Sequence, residues 1–263
     1  MHRYWEVCVG TLLRRSPRDS ACGSTSLRSM RRRCGVVAAV LVVSTAALYI
    51  PAALAHASSN GAAIDEAKRA LIVLTDFPKG WKSSPSGSGN SGSNNLGVKQ
   101  MTACLGVSQN VVNYNPPSAN SPDFDQQRSG LSVNDDVEIF PNASVATQQF
   151  GLYSARRAPT CMAVAFNTPS VKSQFARQLG AGVTIGKVTS ARLPSPHVPV
   201  RATSLSLAIP IRDSGSTVTI SMTIVIIVST LKGSELTFIS TSGKVFPATL
   251  ESRLDLLSAE RLN

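Results

Sequence analysis

The clearest pattern in the chain is an alternation late in the sequence. Over Thr217–Val228 the even positions are Val218, Ile220, Met222, Ile224, Ile226 and Val228; the odd positions are Thr217, Thr219, Ser221 and Thr223, then Val225 and Ile227. Upstream, Leu205, Leu207, Ile209 and Ile211 alternate with Ser204, Ser206 and Ala208, and Asp213-Ser214-Gly215 supplies a turn. Period two on both sides of a turn predicts a β-hairpin with one continuous apolar face. A slip of one residue would send every apolar side chain to water, so the register is fixed. The second face is a small Ser/Thr surface that becomes apolar at Val225 and Ile227. Thr217, Thr219, Ser221, Thr223, Val225 and Ile227 are therefore the candidate binding surface; the alternative is that a helix covers the apolar end and water the rest.

Further strands are predicted over 132–140, over 183–185, where the phase slips at Gly186 and indicates a bulge, and over 235–241. Helical spacing of Ala63, Ala67, Ala70, Leu71 and Leu74 predicts a helix over 62–75, stopped by Pro78 and Gly80. Residues 98–107 read as a short helix carrying Cys104. Asn142 or Ser144 can cap a helix to about Ser154. A second helical stretch starts near Pro159 and carries Cys161; a third piece follows Pro169 and ends before Gly180. Leu250, Leu254 and Leu257 form one stripe of a closing helix over 247–261. Residues 83–97 contain little but Ser, Gly, Asn and Pro and read as a flexible loop. Strands in succession with helices gathered around them predict an α+β fold: an antiparallel sheet of about five strands with N-terminal, middle and C-terminal helices packed on it.

The N-terminal pattern differs. Met30-Arg31-Arg32-Arg33 precedes an uncharged apolar run from Gly35 to Leu54, and Ala55-His56-Ala57 follows. A basic start, an apolar stretch and an A-x-A end are the parts of a secretory signal peptide, with Ala55 and Ala57 flanking the cleavage point. Counted from Met30 the segment has a normal length. Residues 1–29 therefore read as a start-site extension or disordered leader, 30–57 as the signal peptide and 58–263 as a single extracytoplasmic domain. The alternative is an uncleaved anchor tethering the protein through residues 35–54. Export changes the reading of the charge. The chain carries a formal +11, but residues 1–57 hold eight Lys/Arg and two Asp/Glu, so more than half of the excess lies in the targeting segment. The remainder is scattered, which argues against nucleic-acid binding.

Three of the five cysteines precede the cleavage point, leaving Cys104 and Cys161. In an oxidising compartment the simplest expectation is one Cys104–Cys161 disulfide; two buried thiols are the alternative.

Candidate chemistry is sparse. Only His197 remains in the exported part, within a proline-rich connector, so neither a Ser-His-Asp triad nor a zinc site is predicted. Ser229-Thr230-Leu231-Lys232 has the spacing of a Ser-x-x-Lys nucleophile, but its serine ends a strand. Asp123 and Asp125 have the spacing of calcium ligands, yet the positions that follow depart from an EF-hand loop. Asp135, Asp136 and Glu138 form an acidic run that a solvated strand edge explains; carboxylates such as Asp123, Asp125, Asp135 or Glu138 could alternatively serve a secreted hydrolase. No catalytic residue, metal or cofactor is expected.

Several short motifs carry a resemblance: Leu74-Thr75-Asp76-Phe77-Pro78-Lys79-Gly80-Trp81, the Cys104 segment, Ser121-Pro122-Asp123-Phe124, Val137-Glu138-Ile139-Phe140, Cys161 after a helix, and Phe246-Pro247 before the last helix. On these the chain resembles exported or lipid-anchored, sensor-domain-like cell-envelope proteins of high-GC Gram-positive bacteria. That resemblance implies an α+β domain similar to extracellular sensor domains of bacterial Ser/Thr kinases, with a ligand cleft and no catalytic residues. Ala55-His56-Ala57-Ser58 departs from the lipobox of the lipid-anchored members. The expected function is a non-catalytic, ligand-binding or sensor-like module of the envelope. Its partner would be a small molecule, a lipid or an envelope protein, with membrane contact confined to the N-terminal apolar segment. A structural or protein-interaction component of the envelope is the alternative.

Overall fold

The computed structural model describes residues 52–85, 95–108, 111, 115–126, 128–213, 215–241 and 244–263. The expected leader 1–29 and most of the expected signal segment lie outside them. Six helices and nine strands are present among the described residues. In chain order they are α1 (Ala52–Ala70), β1 (Lys82–Ser84), α2 (Asn95–Leu105), β2 (Ser118–Asn120), β3 (Asp123–Gln126), β4 (Leu131–Ile139), α3 (Ala143–Ser154), α4 (Ala158–Phe166), α5 (Pro169–Leu179), β5 (Thr184–Ile185), β6 (Thr189–Leu193), β7 (Arg201–Asp213), β8 (Ser216–Val228), β9 (Lys232–Thr241) and α6 (Ala248–Leu262).

The α+β class holds, but the sheet has nine strands rather than about five. Its order is β1-β3-β4-β9-β8-β7-β5, with β2 also on β4 and β6 also on β7; every pairing is antiparallel. The long hairpin pairs Arg201 with Val228 at one end and Asp213 with Ser216 at the other, and Gly215 at the turn has φ 85°. The bulge expected at Gly186 is present. Ile185 faces Ile211 and Thr189 faces Ala208, so one strand spends an extra residue between them. The same device separates β2 from β3, where Asn120 faces Asp136 and Phe124 faces Val133. Of the expected loop 83–97, Ser83 and Ser84 belong to β1, residues 95–97 open α2, and 86–94 lie outside the described residues.

The sheet has a core on each face. On one face α1 and α6 cover Val133 and Val137 of β4, Leu236 and Phe238 of β9, and Val225 and Ile227 of β8. Phe77, Trp81, Phe124 and Phe246 add an aromatic group; Phe77 stands 4.8 Å from Trp81 and 4.6 Å from Phe124. On the other face, α3, α4 and α5 cover the continuous apolar stripe of the hairpin, including Leu205, Ile209, Ile224 and Ile226.

α1 ends at Ala70, earlier than its apolar spacing predicts. Two carboxylates capture the next peptide groups: Ile72 N donates to Asp135 Oδ2 (3.0 Å) and Val73 N to Asp76 Oδ2 (2.7 Å). Arg261 of α6 then grips Asp76 with both Nη atoms (2.7 and 2.9 Å) and donates to Leu71 O (2.7 Å). The motif from Leu74 to Trp81 is thus a clasp between the sheet and the last helix.

Candidate functional site

The face covered by α3–α5 is apolar over β7 and β8 but polar over β3, β4 and β9. Strand alternation explains the division. In β4, Leu131, Val133, Val137 and Ile139 face α1 and α6, so Ser132, Asn134, Asp136 and Glu138 face the other way. Cross-strand pairing brings Glu235 of β9 beside Asp136, Thr237 beside Asn134, and Asp125 of β3 beside Ser132. Asn134 Nδ2 donates to Asp123 Oδ1 (3.2 Å), and Ser84 Oγ donates to Asp125 Oδ2 (2.7 Å). One sheet face therefore carries Asp123, Asp125, Asp136, Glu138 and Glu235.

These carboxyls are withdrawn from water: Asp136 is 2% exposed, Glu138 3% and Glu235 6%. Burial, reinforced by Glu138 and Asp135, pushes the Glu235 carboxyl up to about 7. Burial also holds Asp136 well above the usual carboxylate range, with Glu138, Glu235 and Asp135 adding like charge. Glu235 Oε2 and Asp125 Oδ1 are buried and have no hydrogen-bond partner among the described residues.

α3 walls the group. Asn142 caps its start, accepting from Val145 N (3.0 Å), and Gln149 and Tyr153, four apart, share one side. Gln149 Nε2 donates to Val111 O. Burial and the charges of Glu235, Glu138 and Asp136 raise the Tyr153 phenol well above its ordinary value. Arg192 anchors the end of α3 by donating to Tyr153 O (2.8 Å), Ala155 O (2.7 Å) and Thr203 Oγ1.

The acidic run is accordingly not a solvated strand edge. β4 is an interior strand with β9 on one side and β2 and β3 on the other. Nor does the run act as one group: Asp135 points to the α1/α6 face. There it accepts from Ile72 N and from Ser234 Oγ (2.7 Å), which accepts in turn from Ser258 Oγ (2.8 Å). Burial raises Asp135 to about 6 against the lowering effect of those donors. A hydrolase using Asp135 together with Asp123 or Glu138 is excluded by the sheet between them.

The remaining expected sites are dispersed. Val225 and Ile227 are fully buried in the α1/α6 core, whereas Thr217 and Ser221 are exposed and Thr219 and Thr223 partly so. The six do not form one continuous surface, because a helix covers the apolar end. Cys104 of α2 and Cys161 of α4 form the expected disulfide, Cα–Cα 5.4 Å. Ala55 and Ala57 lie within the backbone span of α1. His197 is exposed. Ser229 and Lys232 are joined across a turn, Ser229 N to Lys232 O at 2.9 Å, and Lys232 pairs with Glu66 at 3.2 Å. No group of three or more His, Cys, Asp or Glu able to hold a metal ion occurs among the described residues. The partnership of Glu235 with Asp136 had no local signal, since it depends on a β4–β9 register between positions far apart in the chain.

No protein-family model and no curated protein matches the chain. Among solved structures, it is similar to the extracellular domain of PknH from Mycobacterium tuberculosis. The match has 10% identity and a TM-score of 0.26, and covers 62% of this chain and 88% of that one. The likeness is loose. Among the described residues no helix is long and apolar enough to cross a membrane.

Proposed function

We propose that the chain is a non-catalytic, extracytoplasmic, sensor-like module that binds a cationic ligand on the acidic face of β3, β4 and β9. The observation that carries this reading is Glu235: a carboxyl 6% exposed, beside Asp136, with an oxygen that no described donor reaches. A buried carboxyl oxygen that no donor reaches costs stability until a proton or a cation meets it. Strongly perturbed titratable groups cluster at functional sites. The Cys104–Cys161 bond and the leader-like segment Met30–Ala57 support an oxidising, extracytoplasmic setting.

Thermal-shift titration with argininamide and lysinamide, against glucose and acetate, tests the reading. The amides are expected to raise Tm and the neutral and anionic compounds to leave it unchanged. Glu235→Gln and Asp136→Asn should each weaken the response about tenfold, the scale of one charged hydrogen bond. Equal shifts from all four compounds, or none from the amides, would remove it.

A further inference from the structure

The end of the sheet opposite β1 and β3 is open. Among the described residues β6 pairs only with β7, so its other side is an edge. Asn167, at the end of α4, shows which backbone groups lie on that side. Its Nδ2 donates to Val188 O (2.7 Å) and its Oδ1 accepts from Val188 N (3.0 Å), as a neighbouring strand would. The groups of Val188 therefore point away from β7, whereas Ala191 O points toward it and accepts from Ser206 Oγ (3.4 Å). Backbone groups alternate sides along an antiparallel strand, so the N–H and C=O of Ser190 and Arg192 face outward. Thr189, Ala191 and Arg192 are exposed, and Ser190 and Leu193 are partly so. Pro194 has no N–H with which to extend the row.

The charge around this edge has one sign. Between Glu138 and Asp213 the chain has eight Lys or Arg and no Asp or Glu. That stretch contains all of α3–α5, β5 and β6. Lys187 precedes the edge. At the other end Arg192 donates to Ala155 O (2.7 Å), which brings in Arg156 and Arg157. The Arg192 guanidinium is spent on Tyr153 O, Ala155 O and Thr203 Oγ1. Lys187, Arg156 and Arg157 are exposed, and no described carboxylate forms a salt bridge with them.

From the outward backbone groups and the cations at both ends we infer that β6 takes an extended acidic segment of a partner protein as an added strand. Main-chain hydrogen bonds to Ser190 and Arg192 hold the segment. Its carboxylates meet Lys187 at one end and Arg156 and Arg157 at the other, an interval of about 17 Å along a strand. A second copy of the chain is a poor occupant, because pairing β6 with β6 sets the same cations against each other.

Fluorescence anisotropy with three labelled seven-residue peptides tests this: alternating Glu and Val, the same peptide N-methylated at every amide, and its Lys-for-Glu counterpart. The Glu peptide is expected to bind, and N-methylation or the change to Lys should each weaken it at least about tenfold. Lys187→Glu and Arg157→Glu should each weaken the Glu peptide about tenfold, while Arg69→Glu, exposed on α1, leaves it unchanged. Ser190→Pro removes one outward donor without touching the β7 ladder and should weaken it likewise. Circular dichroism confirms that variant's fold, and the methylated peptide carries the same test with the protein unaltered. Equal binding of the methylated peptide, or none of the Glu peptide, overturns strand addition. Equal affinity for the Lys peptide overturns the acidic assignment. A dimer in sedimentation that excess Glu peptide leaves intact but Ser190→Pro dissolves makes a second copy the occupant and overturns the proposal.

Discussion

Glu235 and Asp255 stand out for the same physical reason on opposite faces of the sheet. Asp255 on α6 is 4% exposed, and burial, with Glu251 one turn away, pushes its carboxyl to about 7; its Oδ1 has no partner among the described residues. Both groups hold protons in the native state that the unfolded chain releases from its ordinary values of 4.5 and 3.8. The unfolded state therefore binds fewer protons between about pH 4 and 7, and linkage requires stability to fall as pH rises through that window. Without ligand, Tm should be higher at pH 5 than at pH 8. Glu235→Gln and Asp255→Asn should each flatten the profile and stabilise at pH 8 by of order 1–3 kcal/mol. Calorimetry across pH 5–8 checks this, and a Tm that climbs over the range contradicts the assignment. The sequence displays both residues but not their burial. An Asp on the last helix reads as a solvated position, and Glu235 reads as the first residue of a strand.

At the scale of elements, what was legible depended on length and period. The hairpin and the last helix were readable because thirteen- and fifteen-residue segments carry enough apolar positions to establish a period. β1, β2, β3 and β6 have three to five residues and no such signal. They are strands because β4 offers an edge to β2 and β3, β3 to β1 and β7 to β6, a tertiary cause invisible to a local pattern. Two covalent or ionic ties then hold elements that packing alone holds weakly. The Cys104–Cys161 bond closes a separation of 57 residues and fixes α2 on α4; the chain-entropy argument assigns it roughly 4 kcal/mol. Cys161→Ser should therefore lower unfolding free energy by a few kcal/mol in chemical denaturation, with limited proteolysis cutting first near α2. Unchanged stability and an uncut α2 would show that packing suffices. Asp76→Ala should cost about 2–3 kcal/mol, since it removes the acceptor for Val73 N and leaves Arg261, a partly buried cation, without its carboxylate.

The whole molecule is a sheet whose faces have different fates, and the hairpin shows how one strand serves both. Its even positions on β8 feed the core under α3–α5; its odd positions pass from an exposed Ser/Thr stretch into the core under α1 and α6. The sequence shows the odd face turning apolar at Val225 but not what lies over it, because α6 is joined only by long-range packing. With Val225 and Ile227 fully buried, the apolar end of the candidate surface is core. Val225→Ser and Ile227→Ser each delete buried methyl groups and place a hydroxyl where no partner waits. Each should destabilise by about 2–5 kcal/mol, while Ser221→Ala on the exposed stretch stays within about 0.5 kcal/mol. Cation binding should survive in the folded fraction of both variants, because the β4–β9 register that assembles the acids is set on the other side of β9. If Val225→Ser folds with native stability but loses ligand affinity, the face under α6 is the binding surface and the acidic face of β3, β4 and β9 is not.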